Sequence, residues 1–202
     1  MKCSRKRIEV AGYSLDICIH ECVYEPAEDT MLIANALNIL SRIGNRFGTI
    51  VDLGSGTGIL SLIALKIFNP HKIISIDINP YAVYITKKNL EDTGNALVLR
   101  CNGLKCIRGK VDLVISNPPY LPTYDKSHDE CSRWLYASWG PDTLLHVLCM
   151  DIQKFSNRAI ILYSTLSSID MEECLRRRGY KTSIIASERF FMEELRVVYA
   201  WR

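Results

Sequence analysis

A short apolar run closing on an acid and three alternating glycines, Val51-Asp52-Leu53-Gly54-Ser55-Gly56-Thr57-Gly58, opens directly into the helical run Ile59 to Phe68. A strand that breaks into a glycine loop and then a helix brings backbone N–H groups and bare Cα atoms against a ligand, with the helix N-terminus pointing at it. Dinucleotide folds space their glycines Gly-x-Gly-x-x-Gly and set the helix on a pyrophosphate. Here the glycines alternate and Asp52 precedes them. That suits a ligand without phosphates, whose amino-acid part carries an ammonium for a carboxylate to receive. S-adenosylmethionine is such a ligand.

The surrounding pattern alternates strand and helix. Thr49 to Leu53 and the helix through Phe68 are followed by the apolar strand Lys72 to Ile76, which ends at Asp77 and Ile78. An acid at the end of a second strand is where a doubly wound fold binds ribose hydroxyls. Pro80 starts a helix through about Leu90, and Ala96 to Arg100 is a third strand, followed by the turn Cys101-Asn102-Gly103-Leu104 beside the adenine position. Val111 to Ile115 is a fourth strand, Asp142 to Phe155 a helix, Arg158 to Tyr163 a fifth strand and Ser167 to Arg178 a helix. Tyr180 to Ser187 and Leu195 to Trp201 finish the sheet as a hairpin. Ahead of this lie a small hairpin, Ile8 to Val10 with Ser14 to His20, and a helix from about Asp29 to Ile43 that buries Met31, Leu32, Leu37, Ile39 and Leu40. The expected fold is α/β: a Rossmann-like, seven-stranded, mostly parallel sheet with a C-terminal antiparallel hairpin, helices on both faces and an N-terminal β-hairpin. One domain over 1–202 is expected, with 1–30 as hairpin and cofactor lid and 31–202 as catalytic core.

Composition narrows the function less. A net charge of +3 over 202 residues is modest for nucleic-acid binding, and no run approaches the roughly 18 apolar residues of a membrane span. The basic Lys2, Arg5, Lys6 and Arg7 are expected to be a solvated terminus. Eight cysteines without a secretory signal read as reduced thiols in a cytoplasmic protein. Cys18, His20 and Cys22 are read as one half-buried strand face, and no metal site is expected.

The fourth strand runs into Ser116-Asn117-Pro118-Pro119-Tyr120-Leu121-Pro122, which can be neither helix nor sheet interior. Moving a methyl from a sulfonium needs an in-line nucleophile and mainly orientation. An amide or ring amine is a poor nucleophile because its lone pair is delocalised. Two acceptors, the Asn117 side-chain oxygen and the Pro118 carbonyl, would grip its two N–H bonds and aim the nitrogen, while Tyr120 packs on the flat group. The polar stretch Thr123 to Pro141, with Arg133, Trp134, Tyr136 and Trp139, is read as an irregular substrate mouth.

Asp52-Leu53-Gly54-Ser55-Gly56-Thr57-Gly58, Asp77-Ile78-Asn79-Pro80 and Asn117-Pro118-Pro119-Tyr120 together resemble the class I S-adenosylmethionine-dependent methyltransferases, and specifically the HemK family. Tyr24 to Thr30 and Phe191-Met192-Glu193-Glu194-Leu195 are similar to its short archaeal and eukaryotic branch; the bacterial branch carries an N-terminal helical domain for which these residues leave no room. The resemblance implies methylation of the glutamine side-chain amide in the Gly-Gly-Gln loop of a class-1 translation release factor. It also implies a heterodimer with a small zinc-binding activator subunit at the sheet edge near the third strand. Glu28, Thr30, Asp52, Gly54, Gly56, Gly58, Asp77, Ile78, Asn102, Gly103, Leu104 and Asn117 would hold cofactor, and Asn117, Pro118, Pro119 and Tyr120 the glutamine. The family usually has an acid where Asn102 stands, and its glycine-rich stretch is reduced to Gly140-Pro141-Asp142. The alternatives are an N6-adenine methyltransferase of DNA or RNA, a protein lysine methyltransferase, and an inactive cofactor-binding subunit.

Overall fold

The computed structural model describes residues 2–120, 130–136 and 144–202, leaving aside the side chains of Arg133, Leu135 and Tyr136. Leu121, Pro122, Trp139 and Gly140-Pro141-Asp142 fall outside the described residues. Seven strands form one sheet: β3 (Thr49–Leu53), β4 (Lys72–Asp77), β5 (Ala96–Arg100), β6 (Leu113–Ser116), β7 (Arg158–Ser164), β8 (Lys181–Arg189) and β9 (Glu194–Trp201). The order is β5-β4-β3-β6-β7-β9-β8, parallel except for β9, which runs antiparallel to both neighbours. The chain starts at β3 in the middle, winds outward to β5, then returns to β6, so the switch point falls between β3 and β6. Right-handed crossovers place ligands at the carboxyl ends of strands there.

Ahead of the sheet, β1 (Ser4–Val10) and β2 (Tyr13–Ile19) form the expected hairpin, and α1 (Glu28–Arg42) follows. The hairpin is longer than the sequence pattern indicates. It absorbs the basic terminus: Arg7 pairs with Asp16 across the strands, and Lys6 with Glu25. In α1 the buried face is Asp29, Thr30, Ile33, Ala34, Ala36, Leu37 and Leu40, while Ile39 is 44% exposed. Of the expected stripe, Leu37 and Leu40 are fully buried and Met31 and Leu32 pack half-buried against the same core, so Ile39 alone turns outward.

One apolar layer joins α1, α2 (Ile59–Phe68) and the hairpin to one sheet face, through Ile33, Leu37, Ile50, Ile63 and Leu162. The other face is covered from α5 (Leu144–Asp151), its 3-10 extension Ile152–Lys154, and α6 (Met171–Arg177), through Leu148, Ile152, Val114, Ile161 and Leu175. The remaining helices are α3 (Pro80–Asn89) and α4 (Glu130–Tyr136). The latter stands inside the stretch expected to be irregular. The Asn89 amide stitches the hairpin to the glycine loop: its Nδ2 donates to the Cys18 carbonyl (2.9 Å) and to the Thr57 carbonyl (2.8 Å), and its Oδ1 accepts from Cys18 N (2.7 Å).

Six of the cysteines lie side by side in pairs, Cys3 with Cys18, Cys22 with Cys131 and Cys149 with Cys174, while Cys101 and Cys106 are outside these pairs. Cys18 and Cys22 are thus in different pairs, and His20 stacks on Tyr81 instead of joining them. Among the described residues, no helix is long and apolar enough to cross a membrane.

Candidate active site

The glycine loop sits over the carboxyl ends of β3 and β4. Gly54 and Ser55 donate their N–H groups to the Ile76 carbonyl (2.8 and 3.0 Å), and Gly56 donates to Asp77 Oδ2 (2.9 Å). These amides are spent on the neighbouring strand, so the loop does not offer them to a ligand as the glycine pattern implies. What it offers is closeness. Gly56 has φ +54°, and a Cβ there would meet nothing within 4 Å, whereas at Gly58 it would come 3.0 Å from Thr86 Cγ2. Gly56 therefore keeps open space for a ligand, and Gly58 lets α2 pack against α3.

A cavity of about 430 Å³ opens beside this loop. It is lined by Asp77, Ile78, Asn102 and Gly103 at one end and by Thr30, Asn117, Pro118, Pro119 and Tyr120 at the other, with Gly54 and Gly56 between. Glu28, Asp52, Gly58 and Leu104 do not line it. Glu28 begins α1 facing solvent, and Leu104 is core. Among the described lining residues there are two carboxylates, Asp29 and Asp77, and no lysine or arginine. Such a wall favours a cationic ligand over a phosphate.

Asp52 lies beneath the loop, fully buried, with Oδ2 accepting from Ser61 Oγ (2.6 Å) and Oδ1 unpartnered. Burial pushes its carboxyl up to about 6, against the Ser61 bond and with help from the Asp77 charge. A folded value above the unfolded one, about 3.9, means that the native state holds the extra proton, so stability falls as pH rises from about 4 through about 6. Replacing Asp52 by Asn is expected to flatten that decline by as much as about 3 kcal/mol. Urea unfolding of both proteins across this range checks it; equal slopes would refute the assignment. Asp77 is raised too, by burial, though its oxygens accept from the Gly56 and Asn79 amides.

The residue that organises the far end is Asp29, which the sequence reading places only within the expected cofactor lid. Its Oδ1 accepts from Thr30 N (2.6 Å), Tyr24 Oη (3.1 Å) and Thr30 Oγ1 (3.3 Å). Its Oδ2 accepts from Asn117 Nδ2 (3.0 Å) and Tyr120 Oη (3.4 Å). Because a carboxylate can only accept, it fixes which way the Asn117 amide faces. The nitrogen turns to Asp29, and the oxygen is left buried without a partner. Burial, and then the Asp29 charge, drive both tyrosine hydroxyls upward, so they stay protonated as donors. Ser116 Oγ anchors the start of this segment on the Leu53 carbonyl (2.7 Å), and Ser167 Oγ anchors the Tyr120 carbonyl (3.0 Å). Trp134 of α4 also lines the cavity and stacks with the Arg100 guanidinium.

This geometry can be set beside known proteins. The methyltransferase small domain family matches residues 28–135, more than half of the 202. A Methanocaldococcus jannaschii protein whose name assigns it as a protein N5-glutamine methyltransferase is 31% identical over 96% of this chain and 98% of its own length. The chain belongs to the methyltransferase small domain family, in its HemK group. Methyltransferase HEMK2 of Mus musculus is a further relative, 30% identical over 87% of this chain and 88% of its own. The solved E. cuniculi Mtq2–Trm112 complex, responsible for methylation of the eRF1 translation termination factor, shares the fold: TM-score 0.63 at 21% identity, covering 90% of this chain and 99% of that one. The HemK-group fold and the cavity at its switch point thus coincide.

Proposed function

We propose that this HemK-group methyltransferase uses S-adenosylmethionine to methylate the side-chain amide of the glutamine in the Gly-Gly-Gln loop of a class-1 translation release factor. The observation that carries the reading is the unpartnered Asn117 Oδ1 beside the cavity, in an amide whose nitrogen is held by Asp29. The residues present fit the cofactor: Asp77 offers acceptors to ribose hydroxyls, Gly56 leaves room for close approach, and the described wall carries no cation to repel a sulfonium. When bound, S-adenosylmethionine supplies an electrophilic methyl.

The chain supplies orientation. Asn117 Oδ1 accepts one N–H of the glutamine amide and the Pro118 carbonyl the other, so that the nitrogen is aimed and the positive charge that develops on it is stabilised. Tyr120 packs against the planar amide. Asn102 and Gly103 edge the adenine, with a neutral acceptor in place of the usual acid. Asp52, Gly58 and Leu104 support the cavity from behind its wall, and Glu28 faces solvent at the start of α1. A small zinc-binding activator subunit belongs at β5, the outer strand of the sheet, whose Leu97 is 43% exposed. The relatives' names and the two-protein Mtq2–Trm112 complex support this substrate and partner. Its place is the cytoplasm, with the translation machinery.

Labelled S-adenosylmethionine, offered with a release factor or with DNA and RNA, in the presence and absence of the small subunit, tests the reading. Label is expected on the release factor and lost when its Gly-Gly-Gln glutamine is replaced. Label on nucleic acid that survives protease would overturn it in favour of adenine methylation.

A further inference from the structure

The Asn117 oxygen has a counterpart on the same rim. Among the described residues, four buried side-chain atoms lack a hydrogen-bond partner, and besides Asp52, Asn117 and Tyr163 the fourth is Glu193 Oε1. Glu193 stands in the turn between β8 and β9. Both β7 and β8 run antiparallel to β9, so β8 points the same way as the parallel strands. Its turn therefore projects from the edge where the cavity opens. Thr165 N donates to the Glu194 carbonyl and Glu194 N to Thr165 Oγ1, both 3.0 Å, while Ser167 Oγ reaches the Tyr120 carbonyl at 3.0 Å. Two hydrogen-bonded steps thus tie the turn to the tyrosine of the site, and the Glu193 charge is felt at the Tyr120 hydroxyl. At the tip, Phe191 is 99% exposed and Met192 75%.

Glu193 is half-buried, and its carboxylate keeps an oxygen that no donor of the chain satisfies, so an N–H brought against this carboxylate is favourable. Exposed aromatic and methionine side chains are suited to covering an apolar segment. We infer that Glu193 is a second substrate acceptor, taking a backbone N–H of the substrate polypeptide next to the target side chain while Phe191 and Met192 cover its apolar flank. The inference rests on the glutamine reading. A carboxylate there suits a polypeptide and repels the phosphates of a nucleic acid, as the described cavity wall with its two carboxylates does.

Steady-state transfer to a release factor by the full chain, with the small subunit present, separates the roles. Glu193→Ala is expected to raise KM for the release factor about ten-fold with kcat within about two-fold, because a uniform binding contact is lost. Glu193→Gln, which keeps a neutral acceptor, should fall between the two. Phe191→Ala, at a fully exposed site, should raise KM about five-fold. Cofactor affinity should not move in any of them, and the melting temperature should not fall, since Glu193→Ala removes an unpaired oxygen. An unchanged KM in both Glu193→Ala and Phe191→Ala overturns the inference, as does a fall in kcat at constant KM. If the unaltered enzyme labels no release factor, the glutamine reading itself fails; if it does and the Glu193 variants match it, only this role fails.

Discussion

Replacing Asn117 by Ala is expected to lower kcat by about 10²- to 10³-fold while cofactor affinity stays within about two-fold. What decides this is which interactions exist only when the nitrogen is reacting. An amide lone pair is drawn into its carbonyl, and an acceptor on the N–H becomes stronger as positive charge grows on the nitrogen. Removing Oδ1 therefore takes stabilisation from the transition state more than from the bound substrate. Single-turnover transfer and equilibrium cofactor binding, measured on the same preparation, check both halves. A variant that turns over at the normal rate would remove Asn117 from the reaction.

Asp29→Ala should be nearly as damaging, although Asp29 is assigned no contact with the reacting atoms. Without the carboxylate, the Asn117 amide loses the charge-assisted bond that fixes its orientation, worth about 1.5–3 kcal/mol. The amide can then present its nitrogen to the substrate, where two donors face each other. The expected fall in kcat is about 10- to 100-fold, following from that energy. Tyr24 and Tyr120 lose the same acceptor, so the cavity wall loosens with it. Asp29→Asn, which retains an acceptor oxygen, should recover part of the rate. If Asp29→Ala retains full kcat and Asp29→Asn is no different, the orienting role is wrong.

Much of this architecture is legible in the amino-acid sequence. Near-continuous apolar runs such as Ile73 to Ile76 and Leu113 to Ile115 are what strands covered on both faces require, and Asp77 and Asn117 at strand ends mark the ligand edge. The features that sequence pattern misses share one cause, dependence on distant chain. Asp29 is 88 residues from Asn117, and nothing local distinguishes it from its exposed neighbour Glu28. Asp52 has the sequence position of a ligand-facing acid, but its partner Ser61 lies in the first turn of α2 and holds it under the loop. The Gly54, Ser55 and Gly56 amides find their acceptors on β4, some twenty residues away in sequence, although Gly58 N is taken by Ser55 within the loop. Cys22 and Cys131, 109 residues apart, have no sequence spacing that announces a pair. The α4 helix escapes a pattern search because its turn-rich polar flanks outweigh a short apolar repeat.

The side chain of Asn89 grips the N-terminal hairpin with one hand and the glycine loop with the other. Since its second grasp is on Thr57, any purification tag or fusion partner that pries β2 from its seat will pull on the bend beside the cavity proposed for the methyl donor. Proteins engineered at that end should be judged by their affinity for the donor before their turnover is believed.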